Sequence, residues 1–68
     1  MSMEHARLLD SGRALFTAEE TAAILGVGRS KVFELARTNR LASVKIDTSR
    51  RFRRADIEAF MAALGVDA

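Results

Sequence analysis

The sequence predicts one small domain of mainly α structure with a single β-hairpin. Three observations carry that prediction. Two helical apolar periods, one in residues 17–25 and one in residues 29–38, are separated only by Gly26-Val27-Gly28. The period then changes from helical to alternating over residues 44–54. A third helical period follows in Ile57, Phe60, Met61 and Leu64. At 68 residues the chain has room for one small core, and it has no cysteine to cross-link it.

The first helix is announced by "FTAEETAAILG". Thr17 is placed to cap it, and Glu20, three residues on, is placed to reach back in a capping box. Ala18, Ala22 and Leu25, with Ile24 alongside, form its apolar stripe, and Phe16 stands where it can staple onto the first turn. Gly26 is the expected left-handed stop. The second helix, "RSKVFELART", turns Val32, Leu35 and Ala36 inward with Phe33 at the border. A connection as short as Gly-Val-Gly, with its valine expected to be buried, fits a helix-turn-helix. Gly28 is a weak cap and leaves the first N–H groups of the second helix open.

In the alternating region, "SVKI" places Val44 and Ile46 on one face and Lys45 on the other. "RRFRR" places Phe52 inward with Arg51 and Arg53 outward, and "DTSR" between the two runs reads as the turn. The expected hairpin therefore has one apolar and one basic face. In the last helix, "ADIEAFMAALG", Asp56 suits the positive end of the helix dipole and Gly65 marks the stop. Residues 1–14 are expected to be partly helical, through "HARLL", or flexible. Residues 15–65 are expected to form the domain and residues 66–68 a short tail.

Charge is segregated along the chain although its total is only +2. Residues 1–28 carry −2 and residues 55–68 carry −3, whereas residues 29–54 set nine Lys and Arg against Glu34 and Asp47, a net +7. A continuous basic segment of this kind is the footprint of a polyanion-binding surface, the other reading being a solvated basic face. At about 100° per residue, turning Val32 and Ala36 inward brings Ser30, Glu34 and Arg37 out together. Lys31 then lies on one flank and Arg29 at the N-terminal end. Such a face fits a major groove, with phosphate contact the commonest use of its cations. In the hairpin, Lys45, Arg50, Arg51, Arg53 and Arg54 are placed to follow phosphates or enter a minor groove. Arg54, next to the last helix, is the one most open to a structural role.

Other chemistry is poorly supplied. His5 has no second ligand at a metal-site spacing, so neither metal nor cofactor is expected. No serine, histidine and carboxylate form an acyl-transfer set, and the chain has no tyrosine with which to cut DNA. "GVG" follows a helix rather than a strand and is too short to cradle phosphates. No enzyme activity and no small-molecule ligand are expected. No apolar run approaches the roughly 20 residues that span a bilayer, and the N-terminus lacks a signal-peptide core. A cytoplasmic, DNA-associated protein is the expectation.

Taken together, "FTAEETAAILGVGRSKVFELARTNRLASVKI" and "RFRRADIEAFM" resemble the excisionase and MerR-like winged helix-turn-helix DNA-binding domains, over about residues 15–62. That family pattern is a short capped helix, "LGV", a recognition helix with V-[YF], a leucine, a V-K-I strand, a basic strand with an aromatic, and "D-I-x-x-F". The resemblance implies a recognition helix from Arg29 to Arg37 and a wing from Lys45 to Arg54. Two departures stand out. The family usually has serine where Gly28 stands, and its wing turn usually contains glycine where this chain has "DTSR", which implies a longer or more mobile tip.

A small free-standing domain of this kind resembles a phage or mobile-element excisionase, a recombination directionality factor. Such proteins bind adjacent sites on double-stranded DNA, bend it, and assist an integrase without cutting. The resemblance thus implies an integrase and neighbouring copies of the chain as partners. The long dimerisation helix of MerR-like activators has no counterpart here, so ligand-responsive activation is not expected. A small transcriptional repressor using the same domain, and a winged helix binding an acidic protein, remain as alternatives.

Overall fold

The computed structural model describes residues 12–65. The expectations for "HARLL", His5 and residues 66–68 lie outside the described residues. In chain order the elements are β1 (Leu15–Phe16), α1 (Ala18–Leu25), α2 (Arg29–Arg37), β2 (Val44–Ile46), β3 (Ser49–Arg53) and α3 (Arg54–Ala63). Three helices and a small antiparallel sheet in this order are a winged helix-turn-helix.

The capping box forms as its spacing predicts. The Glu20 backbone N–H donates to Thr17 Oγ1 at 3.1 Å, and the Thr17 N–H donates to Glu20 Oε1 at 2.9 Å. Gly26 ends α1 at φ 71°, a left-handed conformation that glycine adopts without steric penalty. α2 begins at Gly28, which offers no side-chain cap. It ends through Asn39 at φ 60°, after which the N–H groups of Arg40 and Leu41 both donate to the Leu35 carbonyl. That reversal drops Leu41 into the core, where it is fully enclosed.

Packing around the core departs from the sequence reading in four places. Phe16 is a core residue in a third strand rather than a staple: β1 pairs with β3 in the register Leu15–Arg53 and Phe16–Phe52, giving the sheet order β1-β3-β2. Val27, expected to be buried in the helix-turn-helix connection, is 39% exposed. Leu64 follows the last turn of α3 and is exposed, so Ile57, with half-buried Phe60 and Met61, carries that helix's packing. Thr21, polar and unforeseen, is fully buried; its hydroxyl donates to the Thr17 carbonyl at 2.8 Å and so is satisfied.

A further departure concerns the wing. Its turn is only Asp47–Thr48, with Asp47 at φ 57° supplying the positive φ that a two-residue hairpin turn needs. The tip is therefore tight, not longer. The resulting register pairs Val44 with Arg51, Lys45 with Arg50 and Ile46 with Ser49. Paired residues share a face, and faces alternate along each strand. Lys45 and Arg50 consequently lie on the face of Phe52, beyond the end of the core, whereas Val44 and Ile46 share the other face with Arg51. The expected division into one apolar and one basic face does not occur, and Ile46 is 47% exposed. Phe52 itself is inward and fully enclosed, as expected.

Candidate nucleic-acid interface

The wing register sets the geometry of the site. Because Lys45 and Arg50 lie on the sheet face that continues into the core, they look across toward α2 instead of away from it. A polar groove runs between the first turn of α1, the wing and α2, and is lined by Arg29, Phe33, Lys45, Thr48, Arg50 and Arg51 among others. Four cations from two separated elements thus surround one concave surface. Glu19 lines the groove as well, paired with Arg29, so four cations stand against one carboxylate. A cleft with such an excess of one sign focuses the field and raises the local concentration of the opposite ion.

α2 presents the rest. Ser30, Glu34 and Arg37 are exposed along its outer face, opposite the buried Val32, Leu35 and Ala36. Arg29 opens the helix; its Nε lies 3.0 Å from Glu19 Oε1, and its guanidinium carbon sits 5.2 Å from the centre of the Phe33 ring. Lys31 lies on the far flank, where its Nζ donates to Glu34 Oε2 at 3.3 Å. These pairs are exposed and contribute little to stability. Their effect is to hold two long cationic side chains against the helix. The N–H groups of the first turn face an N-cap with no side chain, which suits an incoming anion.

Within the wing, the five predicted cations divide. Arg50 Nη1 donates to Ser43 Oγ at 2.6 Å, and Arg51 Nη1 donates to the Arg50 carbonyl at 3.1 Å; Lys45 is exposed. Arg53 turns instead to Asp56 in the first turn of α3, its Nε donating to Oδ2 at 2.7 Å. That hydrogen bond raises the guanidinium pKa further above its ordinary value. Arg54 Nε donates to the Arg13 carbonyl at 3.0 Å, and its guanidinium carbon lies 5.9 Å from the centre of the Phe16 ring. Its Nη2 is buried without a hydrogen-bond partner. Arg53 and Arg54 line a separate hollow with Gly12, Arg13, Ala14 and Leu15. The structure therefore brings Arg29, Lys45, Arg50 and Arg51 together and sets Arg53 and Arg54 apart beside β1.

Phe33 was not among the predicted site residues, yet it lines the groove. The signal for it was its border position on the helical wheel. A second, apolar groove lies on the opposite flank of α2, lined by Leu25, Val27, Leu35, Phe60, Met61 and Leu64, with Lys31 and Arg40 at its edge. Among the described residues no helix is long and apolar enough to cross a membrane, and no cluster of three or more side chains is arranged to hold a metal ion.

Comparison with known proteins gives a consistent result. The family model described as "Helix-turn-helix domain" matches residues 15–65. An "Excisionase" of Streptomyces ambofaciens is 62% identical over 37 residues, which cover 54% of this chain and 60% of that protein. A "Probable excisionase" of Saccharopolyspora erythraea is 40% identical over 52 residues, covering 76% of this chain and 53% of that protein. The chain thus spans less than two thirds of the length of either relative. No solved structure matches it.

Proposed function

Since the chain belongs to the helix-turn-helix domain family, we propose that it binds double-stranded DNA as an excisionase-type recombination directionality factor. In this reading α2 enters the major groove, with Arg29, Ser30, Lys31, Glu34 and Arg37 at the duplex, while Lys45, Arg50 and Arg51 carry the wing along the adjacent backbone or minor groove. Arg53 and Arg54 add positive field from behind the wing and hold it to α3 and to the strand before α1. The observation that carries the proposal is the convergence of Arg29 with Lys45, Arg50 and Arg51 around one groove. Residues distant in sequence are brought by the fold to one cationic surface flanking the recognition helix. The two excisionase relatives support the more specific role.

The protein acts by architecture rather than by catalysis. A single domain of this size covers on the order of 600–1,000 Å² of DNA-facing surface, which favours several copies on adjacent sites. Those copies bind cooperatively, bend the attachment-site DNA and assist an integrase in excising a prophage or mobile element. Gel shifts on a duplex carrying the attachment-site arm of the host element test this: stepwise, cooperative complexes with increasing bend are expected. Full occupancy of straight DNA, without effect on integrase-catalysed excision, would overturn the architectural role.

A further inference from the structure

Phe33 is a large apolar side chain that the core does not use. The buried cluster takes Val32, Leu35 and Ala36 from α2, with Leu25, Phe60 and Met61 packed at its edge, and omits Phe33. Instead the ring is 39% exposed in a groove whose other walls carry Lys45, Arg50 and Arg51, polar side chains, and the Glu19 carboxylate that pairs with Arg29. Around the helix axis Phe33 lies about 60° from Ser30, within the outward arc and on the flank facing the wing. Arg29, one turn earlier, covers part of the ring at 5.2 Å, which leaves the remainder of the ring open to a ligand.

An aromatic edge set among cations on a recognition helix asks for a ligand that is anionic around an apolar spot. The major groove of B-DNA supplies one such spot, the C5-methyl group of thymine, within reach of flanking phosphates. We propose that Phe33 determines sequence preference by packing against a thymine C5-methyl group, with Arg29 held beside it on the adjoining phosphate or guanine. This inference rests on the DNA-binding reading above. It goes further by assigning thymine recognition to a particular side chain.

Deoxyuridine in place of thymine removes only the methyl group and keeps base pairing, so it isolates the contact. The probe is a duplex enriched by the full chain from a pool of random sequence, resynthesised with one thymine at a time replaced by deoxyuridine. For the unsubstituted protein, affinity falls about fourfold at one or two positions, the worth of one buried methyl group. F33A binds thymine and deoxyuridine equally at those positions, F33L retains part of the difference, and neither changes the salt dependence of binding. Circular dichroism establishes that each variant is folded, and the thymine comparison on the unsubstituted protein requires no variant. Equal affinity for both bases at every position would overturn the inference while leaving DNA binding intact. So would an undiminished fourfold loss in folded F33A or F33L. Absence of any enriched or retained duplex would instead overturn the DNA-binding reading itself.

Discussion

Phe52→Ala should remove a large share of the folded state's stability, and the structure says why. Phe52 sits on the central strand of the sheet, pairs with Phe16 on β1, and is fully enclosed. Truncation of a buried phenylalanine to alanine costs about 3–5 kcal/mol, the sum of lost apolar transfer and the cavity left behind. A chain of 68 residues has a total stability of roughly 3–10 kcal/mol. The loss therefore removes a third or more of the stability and exceeds all of it at the lower end. With a urea dependence near 1 kcal/mol per molar for a domain this small, the unfolding midpoint drops by about 3 M or more. Urea titration followed by far-ultraviolet circular dichroism reads the shift. Ile46→Ala is the matched control: Ile46 is 47% exposed on the opposite face of the wing, and its truncation should stay within about 0.5 kcal/mol. Equal effects of the two substitutions would refute the hairpin register, because simple alternation of "VKI" would have made both residues core.

The remaining predictions concern the cap, acid stability and the division of the arginines. Thr17→Ala breaks the capping box and should lower stability by about 1 kcal/mol in the same titration. Hydrogen bonding to the Arg13 guanidinium, and then to Thr17, holds the Glu20 carboxyl at about 2, down from its ordinary 4.5. A group with a depressed folded pKa stabilises above its unfolded value and loses that contribution as pH falls. Stability should therefore decline between about pH 4.5 and pH 2 as Glu20 protonates. In Glu20→Gln, which keeps an acceptor for the Thr17 N–H, acid titration should show a weaker decline. Arg50→Ala should flatten the salt dependence of DNA binding by about one unit. Arg54→Ala, which loses the bond to the Arg13 carbonyl, should lower thermal stability and leave that slope nearly unchanged.

What could be read from the residue string was whatever is decided locally. The capping box is a relation between Thr17 and Glu20, three residues apart, and the left-handed stop at Gly26 is a property of one residue; both appear as expected. The inward face of α2 follows from its period alone. The misreadings depend on partners distant in sequence or on a backbone conformation that residue type leaves open. β1 is two residues long, too short to show an alternating pattern, and exists only because β3 lies beside it. The wing parity was set by the turn: four polar residues suggest a loop, but Asp47 adopts a positive φ and closes the hairpin in two residues. That choice moved Ile46 out to solvent and brought Lys45 and Arg50 round to face α2.

Position along β3, not parity, decided which of the clustered arginines belong to the groove: Arg51 lines it although it lies on the opposite face from Arg50. In the sequence Arg50, Arg51, Arg53 and Arg54 are four cations around Phe52, of which only Arg54 is marked out for a structural role. The fold separates them because β3 ends at Arg53 and α3 begins at once, placing Asp56 within reach of Arg53 and the backbone before β1 within reach of Arg54. Val27 and Leu64 illustrate the converse limit: apolar residues at the ends of helical periods have no covering element and remain at the surface.

The central claim is that cations from α2 and the wing meet a duplex together. Equilibrium binding of the full chain to its element's attachment-site DNA, measured over a range of salt concentrations, tests it most directly. Neutralisation of about five phosphates predicts that log K falls against log salt with a slope of roughly −4 to −5. Arg29→Ala with Arg50→Ala should reduce that slope by about two units. A slope near zero, or no association even at low salt, would contradict the account.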